Sequence, residues 1–323
     1  MNDTGPAVEA ENLVKIYKPG SRHPVRALDG LSLSVKRGEI FGLLGENGAG
    51  KTTFLRILAT LLQPTSGRAM LLGMDVSRSG YDVRKKICGV LQENAVDVWL
   101  SVEDNLSTYA RFHSIPRTER APRAARVIEQ FGLGKFRKQK VMDLSGGLKR
   151  RVQVAKVFMV DTPVIFLDEA TTGMDPINKR ETLGAIRDQA RLGRTIILTT
   201  HILGEAEELC DTIAIIDRGR VAASGSPDTI KSLEGTVVEI HVSYDSLDEA
   251  ALTEIRELPL VKYERRDRRL DISVNAKLVS PFDVLQKLSR VGRVHALEVN
   301  SGSLEDAFIE LLGKNKSRPE DPT

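Results

Sequence analysis

Cysteine, aromatic residues, surplus charge and long apolar runs are all scarce in this chain, and each shortage excludes something. Two cysteines in 323 residues, Cys88 and Cys210, lie in apolar-rich stretches. They read as buried thiols of a reducing compartment, since a disulfide scaffold or a cysteine metal cluster needs more of them. Lys+Arg number 47 against 44 Asp+Glu, a net charge of +3, so composition does not call for a nucleic-acid partner and none is expected. No apolar run approaches the length of a membrane span. The segment Met1-Asn2-Asp3-Thr4-Gly5-Pro6 lacks a basic region followed by an apolar one. The chain is therefore expected to be soluble and cytoplasmic by itself, reaching a membrane only through another polypeptide.

What is present is enough apolar residue, 41% hydrophobic, for packed cores, and a length that suits two domains. The stretch that organises the first is Gly45-Glu46-Asn47-Gly48-Ala49-Gly50-Lys51-Thr52-Thr53, preceded by the apolar run Ile40–Leu44. It fits G-x-x-x-x-G-K-[ST] between a buried strand and a helix, which is the context that pattern requires. Glycines let successive backbone N–H groups converge on one anion, and the helix start adds its positive dipole end. Lys51 can then reach the β- and γ-phosphates, and the Thr52 hydroxyl can ligate Mg²⁺.

Residues 7 to 35 alternate and turn like an antiparallel β segment. Tyr17, just before the Pro19-Gly20 turn, is either a base-stacking ring or a half-buried strand residue. Ile87–Leu91 reads as a short buried strand ending at Gln92, where parallel sheets place ligand contacts; Gln92 is either a contact to Mg²⁺ or a water, or a solvated loop glutamine. Residues 101 to 140 read as helical, amphipathic and basic, from Arg111 to Lys140. A solvated face leads over a surface near anionic lipid, and a nucleic-acid footprint comes last because no aromatics interleave. In Leu144-Ser145-Gly146-Gly147-Leu148 the serine stands as an N-cap, with bare N–H groups at a helix start, a second anion site. Val164–Leu167 is an apolar strand ending in Asp168 and Glu169. Carboxylates at such a tip are costly unless a cation or ligand meets them. Asp168 fits a Mg²⁺ shell and Glu169 a general base. Asp175-Pro176 begins a helix, and His201 tips one more buried strand, Thr195–Thr200, within reach of a γ-phosphate.

With these pieces in order, residues 7 to 230 or so resemble the ATP-binding subunit of an ABC transporter. The motifs that carry the resemblance are the phosphate loop at Gly45–Thr52, Gln92, Leu144–Leu148, Val164–Glu169, Gly173–Asp175 and His201. The resemblance implies a mixed-sheet core with an antiparallel β subdomain and a helical subdomain (about 93–160), together spanning 7–232. It also implies two copies sandwiching two ATP molecules with Mg²⁺, each held by Gly45–Thr53 of one copy and Ser145, Gly146 and Gly147 of the other. By matching position Tyr17 stacks on adenine, Gln92 senses Mg²⁺ and water, Glu169 is the base, His201 touches the γ-phosphate and Asp175 lies at the nucleotide. The region from Gln92 to about Asn105, including Trp99, would face separate transmembrane permease subunits at the cytoplasmic face of the membrane. Ala170 departs from the proline usual after the glutamate.

Residues 236–313 read as β-α-β-β-α-β, the ferredoxin-like order, closed by a helix with an apolar stripe, and 314–323 as a disordered tail. Ser303–Phe308 resembles the closing motif of ATPases that serve ABC-2 type drug-resistance exporters. That resemblance implies efflux of a drug, lipid or similar hydrophobic substrate. A soluble ABC ATPase acting on ribosomes or DNA, or an importer ATPase, is the alternative.

Overall fold

The computed structural model describes residues 5–20, 23–91, 96–234, 237–247, 249–276, 278–289, 292–301 and 303–316. Gln92 lies outside the described residues. The chain divides into two compact units, Met1–Ser226 and Pro227–Thr323.

In chain order the first unit begins with β1 (Val8–Tyr17), β2 (Val25–Val35), β3 (Ile40–Leu44), α1 (Lys51–Leu58), β4 (Ser66–Leu71), β5 (Met74–Asp75), α2 (Gly80–Arg84) and β6 (Ile87–Val90). It continues with α3 (Val102–Phe112), α4 (Arg117–Gln130), α5 (Gly146–Val157), β7 (Val164–Asp168), α6 (Pro176–Ala190), β8 (Thr195–Thr200), α7 (Leu203–Leu209), β9 (Thr212–Asp217) and β10 (Arg220–Gly225). Two sheets result. One is antiparallel, in the order β2-β1-β4-β5; the other runs β10-β9-β3-β8-β7-β6, parallel except for the β9–β10 hairpin.

The sequence explains the difference between the sheets. Strands β3, β7 and β8 are built on the apolar runs 40–44, 164–167 and 196–198 and are buried at every position, as strands covered on both faces must be. β1 alternates and has an open face. Leu13, Leu28, Leu31, Phe41, Phe54 and Phe166 join one core, so the two sheets and α1 are packed as one body. The order β3-β8-β7 has a functional consequence: the loop after β3, the His201 tip of β8 and the Asp168 tip of β7 emerge side by side at the carboxyl end of the sheet.

Residues 101 to 140 depart from the expected continuous helical character. After α4 the backbone forms short 3-10 turns, Gly134–Phe136 and Val141–Asp143, around a bridge between Ser101 and Lys140. The basic face is also less free than its composition suggests. Arg137 and Lys138 both pair with Glu103, and Arg123 pairs with Glu119 and Asp161. Both cysteines are buried and unpaired.

The second unit contains α8 (Pro227–Glu234), β11 (Val237–Leu247), α9 (Glu249–Arg256), β12 (Leu260–Arg266), β13 (Arg269–Asn275), α10 (Pro281–Leu288), β14 (Gly292–Ser301) and α11 (Leu304–Lys316). Its antiparallel sheet has the order β12-β13-β11-β14, with Ile240, Val242, Leu252, Ile255, Ile272 and Val284 among the core residues. The element order is the β-α-β-β-α-β read from the sequence. Helix α8, whose residues up to 232 were assigned to the first domain, packs against α11 in this unit. Helix α11 continues through Lys316, past the expected start of the tail at 314; residues 317–323 lie outside the described residues.

Candidate nucleotide site

The phosphate loop is built around backbone that other residues would obstruct. Gly50 has φ +111, and a Cβ there would sit 2.5 Å from the carbonyl of Ala27. A Cβ on Gly45 would come within 2.3 Å of the Ile216 carbonyl. Only hydrogen fits at either position. The loop delivers Lys51 to the start of α1, where its ammonium is buried and donates to the carbonyls of Gly45 at 2.7 Å and Glu46 at 3.0 Å. Burial pushes the Lys51 pKa down, while the charges of Glu169 and Asp168 oppose that shift. A cation curled inside its own loop, facing two carboxylates, is poised for an anion that would outbid the carbonyls.

Thr52 and Asp168 meet across the β3–β7 gap: the Thr52 hydroxyl donates to Asp168 Oδ2 at 3.1 Å. Asp168 is 1% exposed and also accepts from the Thr199 hydroxyl on β8. A hydroxyl and a fully buried carboxylate converging beside the loop make a hard oxygen donor set that suits Mg²⁺. Glu169, one residue on, has φ +50, in the left-handed region. Its N–H donates to both the carbonyl and the hydroxyl of Thr199, each at 3.1 Å. Its carboxylate lies 3.3 Å from His201 Nδ1 and accepts from the Thr172 hydroxyl at 3.4 Å. Thus Lys51, Thr52, Asp168, Glu169 and His201, separated by as many as 150 positions in sequence, converge at one edge.

Tyr17, at the end of β1, is half-buried, and its hydroxyl lies 3.3 Å from the Thr53 hydroxyl on α1. The sheet order therefore carries this ring to the same loop. Ser145 caps α5, accepting from the Leu148 N–H at 3.4 Å. The helix starts at Gly146, so both glycines form its first turn. Gly147 is packed against the next turn over, since a Cβ there would stand 3.2 Å from Met174 Cα. An open cavity of about 380 Å³ is lined by Gly146, Lys149, Arg150, Gln153, Glu169, Thr172 and Gly173, so the capped turn and Glu169 share one space. Asp175 is engaged as the N-cap of α6, accepting from the N–H groups of Ile177 at 3.1 Å and Asn178 at 3.0 Å. Those bonds hold its carboxyl below the ordinary range, the Asn178 N–H contributing most.

Besides Thr199, two neighbours of these residues escape sequence reasoning. Glu205 on α7 is a buried carboxylate that accepts from Thr171 (2.6 Å) and Thr200 (3.0 Å) and pairs with Lys179 (2.7 Å). It ties the segment after Glu169 to the strand end before His201. The four-residue spacing from His201 was the one visible clue. The other neighbour is Arg150, whose partners lie 18 and 19 positions away.

Fold and site together define a nucleotide-hydrolysing P-loop domain of the kind that binds phosphate at the carboxyl edge of a parallel sheet. The ABC transporter family model matches residues 28–172. The daunorubicin/doxorubicin resistance ATP-binding protein of Streptomyces peucetius is 36% identical over 312 residues, 95% of this chain and 92% of that protein. The linearmycin resistance ATP-binding protein of Bacillus subtilis is 32% identical over 95% of this chain and 98% of its own length. A solved ATP-binding cassette, dimeric and bound to ADP and Pi after hydrolysis, is 25% identical with a TM-score of 0.62, covering 68% of this chain and 98% of that one. The chain belongs to the ABC transporter ATP-binding family, and is an ATP-binding ATPase of that class. No helix among the described residues is long and apolar enough to cross a membrane.

Proposed function

We propose that this chain is the ATP-hydrolysing motor of an ABC-2 type exporter, working as a pair of copies at the cytoplasmic face of a membrane, on permease subunits that are separate chains. The observation that carries the reading is that similarity to resistance ATP-binding proteins runs through both units and does not stop at the cassette. The exported molecule is a drug, lipid or similar hydrophobic compound.

The site chemistry follows from the strand tips. The backbone N–H groups of Gly45 to Thr53 and the Lys51 ammonium bind the β- and γ-phosphates, and Tyr17 stacks on the adenine ring. Thr52 and Asp168, with Gln92, would hold Mg²⁺, which when bound would supply charge stabilisation to the phosphate oxygens. Glu169 orients a water and takes its proton as the water oxygen attacks the γ-phosphorus. The bond from that phosphorus to the bridging oxygen breaks, and ADP and phosphate are released. His201, 3.3 Å from the Glu169 carboxylate, steadies that carboxylate and the γ-phosphate together. The first turn of α5 in the second copy, capped by Ser145 with Gly146 and Gly147, closes over the phosphate, while Asp175 fixes the α6 start beside it. Trp99, 68% exposed at the edge of the helical segment, faces the permease.

Affinity purification of the tagged chain from detergent-solubilised native membranes tests the reading. A co-purifying multi-span membrane protein without a solute-binding protein is the expected result. Ribosomal or DNA-repair proteins with no membrane chain would move the function to the soluble class, and a solute-binding protein would make it an importer.

A further inference from the structure

Glu169 stands in backbone that the sheet alone does not hold. Its φ of +50 is a conformation that a residue with a side chain adopts at a cost, and it persists only where neighbours over-determine it. From one side Thr199 accepts the Glu169 N–H. From the other, a single nitrogen of Arg150, Nη2, donates to the carbonyl of Asp168 at 2.5 Å and to the carbonyl of Glu169 at 3.0 Å. Among the described residues the carboxylate itself has long contacts, 3.3 and 3.4 Å, so its position is inherited from the peptide units around it.

Arg150 is itself held. Its Nη1 donates to Gln153 Oε1 at 2.8 Å, one turn further along α5, and Gln153 is buried. Burial pushes the Arg150 pKa down against the opposing charges of Asp168 and Glu169, which marks a guanidinium partly stripped of water, where its hydrogen bonds are stronger. Arg150 lies within the second turn of α5, whose first turn is Gly146-Gly147 behind the Ser145 cap. A shift of α5 when its first turn meets phosphate would therefore be felt at the peptide units on both sides of Glu169.

We infer that Arg150 is a positioning residue for the hydrolysis step: it fixes the backbone that aims the Glu169 carboxylate, and it ties that aim to the capped turn of α5. The inference rests on Glu169 being the base.

The test is steady-state ATP turnover of the full chain with Mg²⁺, comparing Arg150→Met, Arg150→Lys and Glu169→Gln. Arg150→Met keeps the stem and removes every donor. It is expected to lower kcat roughly a hundredfold, the scale of a 1 Å misplacement of a catalytic group, with the KM for ATP within about threefold of the parent and a melting temperature lowered by no more than a few degrees. Arg150→Lys is expected to recover most of the rate, because one nitrogen already serves both carbonyls. A merely structural tie would instead move stability and KM together. Parental kcat in Arg150→Met, or no recovery in a folded Arg150→Lys, overturns the inference. If Arg150→Met does not fold, Arg150→Gln is read by the same criteria. Normal turnover in Glu169→Gln would instead defeat the assignment of the base, whereas a slow Glu169→Gln beside a normal Arg150→Met defeats only the role of Arg150.

Discussion

The two units bury different things. Around the carboxyl edge of the first unit's parallel sheet, Lys51, Gln153, Asp168, Thr199, Thr200 and Glu205 are all buried, and charged or hydroxyl groups answer one another across strand tips. In the second unit the core is Val238, Ile240, Val242, Leu270, Ile272, Val274 and their apolar neighbours, and its charges pair near the surface, His241 with Asp271 and Arg265 with Glu249. Polar burial is costly and persists where geometry must be held; apolar burial holds shape alone. The contrast locates the chemistry in the first unit and leaves the second as a packed body whose failures should be failures of stability.

Substitutions on the two sides should therefore separate binding from folding. The largest effect is expected from Lys51→Ala, which removes the cation from the phosphate loop. ATP affinity should fall by on the order of a hundredfold or more, consistent with loss of a buried charge contact, with the fold retained in circular dichroism. Ile272→Ala in the second unit should do the reverse, costing about 2–5 kcal/mol of stability in chemical denaturation while the folded fraction binds ATP as the parent does. Weakened ATP binding by the folded Ile272→Ala protein would erase the contrast. Glu205→Gln sharpens it from within the first unit. Lys179 and two threonine hydroxyls lose their carboxylate, so about 1–3 kcal/mol of stability and part of the turnover should go together. Ending the chain after Ser226 should change ATP affinity by less than about threefold, since every loop residue lies before that point; loss of binding would make the second unit integral to the site.

The smallest effect concerns pH. Hydrogen bonds from Arg137, and next from Lys138, pull the Glu103 carboxyl from 4.5 to about 2. A depressed folded-state pKa contributes stability that is complete above about pH 4.5 and is lost as pH falls toward about 2. These ion pairs are partly exposed on the cationic side. The acid-induced drop in melting temperature attributable to Glu103 should therefore be only roughly 2–4 °C, and Glu103→Gln should abolish that portion.

What the sequence made legible follows a physical rule. The phosphate loop could be read because its chemistry needs contiguous residues: glycines, lysine and threonine acting through adjacent backbone. The strand end at Asp168 was legible because a fully apolar run stops there, and His201 because a short apolar run gives way to Thr199-Thr200 just before it. Arg150, Thr199 and Glu205 were not, because their ties to the segment around Glu169 run to partners 18 to 34 positions away, and an arginine after Gly-Gly or a glutamate in a helix looks like solvated surface. In the basic stretch the ion pairs of Arg137 and Lys138 were equally hidden, since their shared partner Glu103 lies on α3, far away in sequence. The packing of α8 against α11 was not legible either, because the two helices lie at opposite ends of the second unit's sequence.

The proposed function turns on Glu169 hydrolysing an ATP whose site is completed by a second copy. The most direct measurement is the solution mass of Glu169→Gln by light scattering, with and without Mg-ATP, beside its rate of phosphate release. ATP-dependent conversion to a stable dimer, with phosphate release nearly abolished, is the predicted result. A variant that stays monomeric in saturating ATP, or that releases phosphate at the parental rate, would contradict the account.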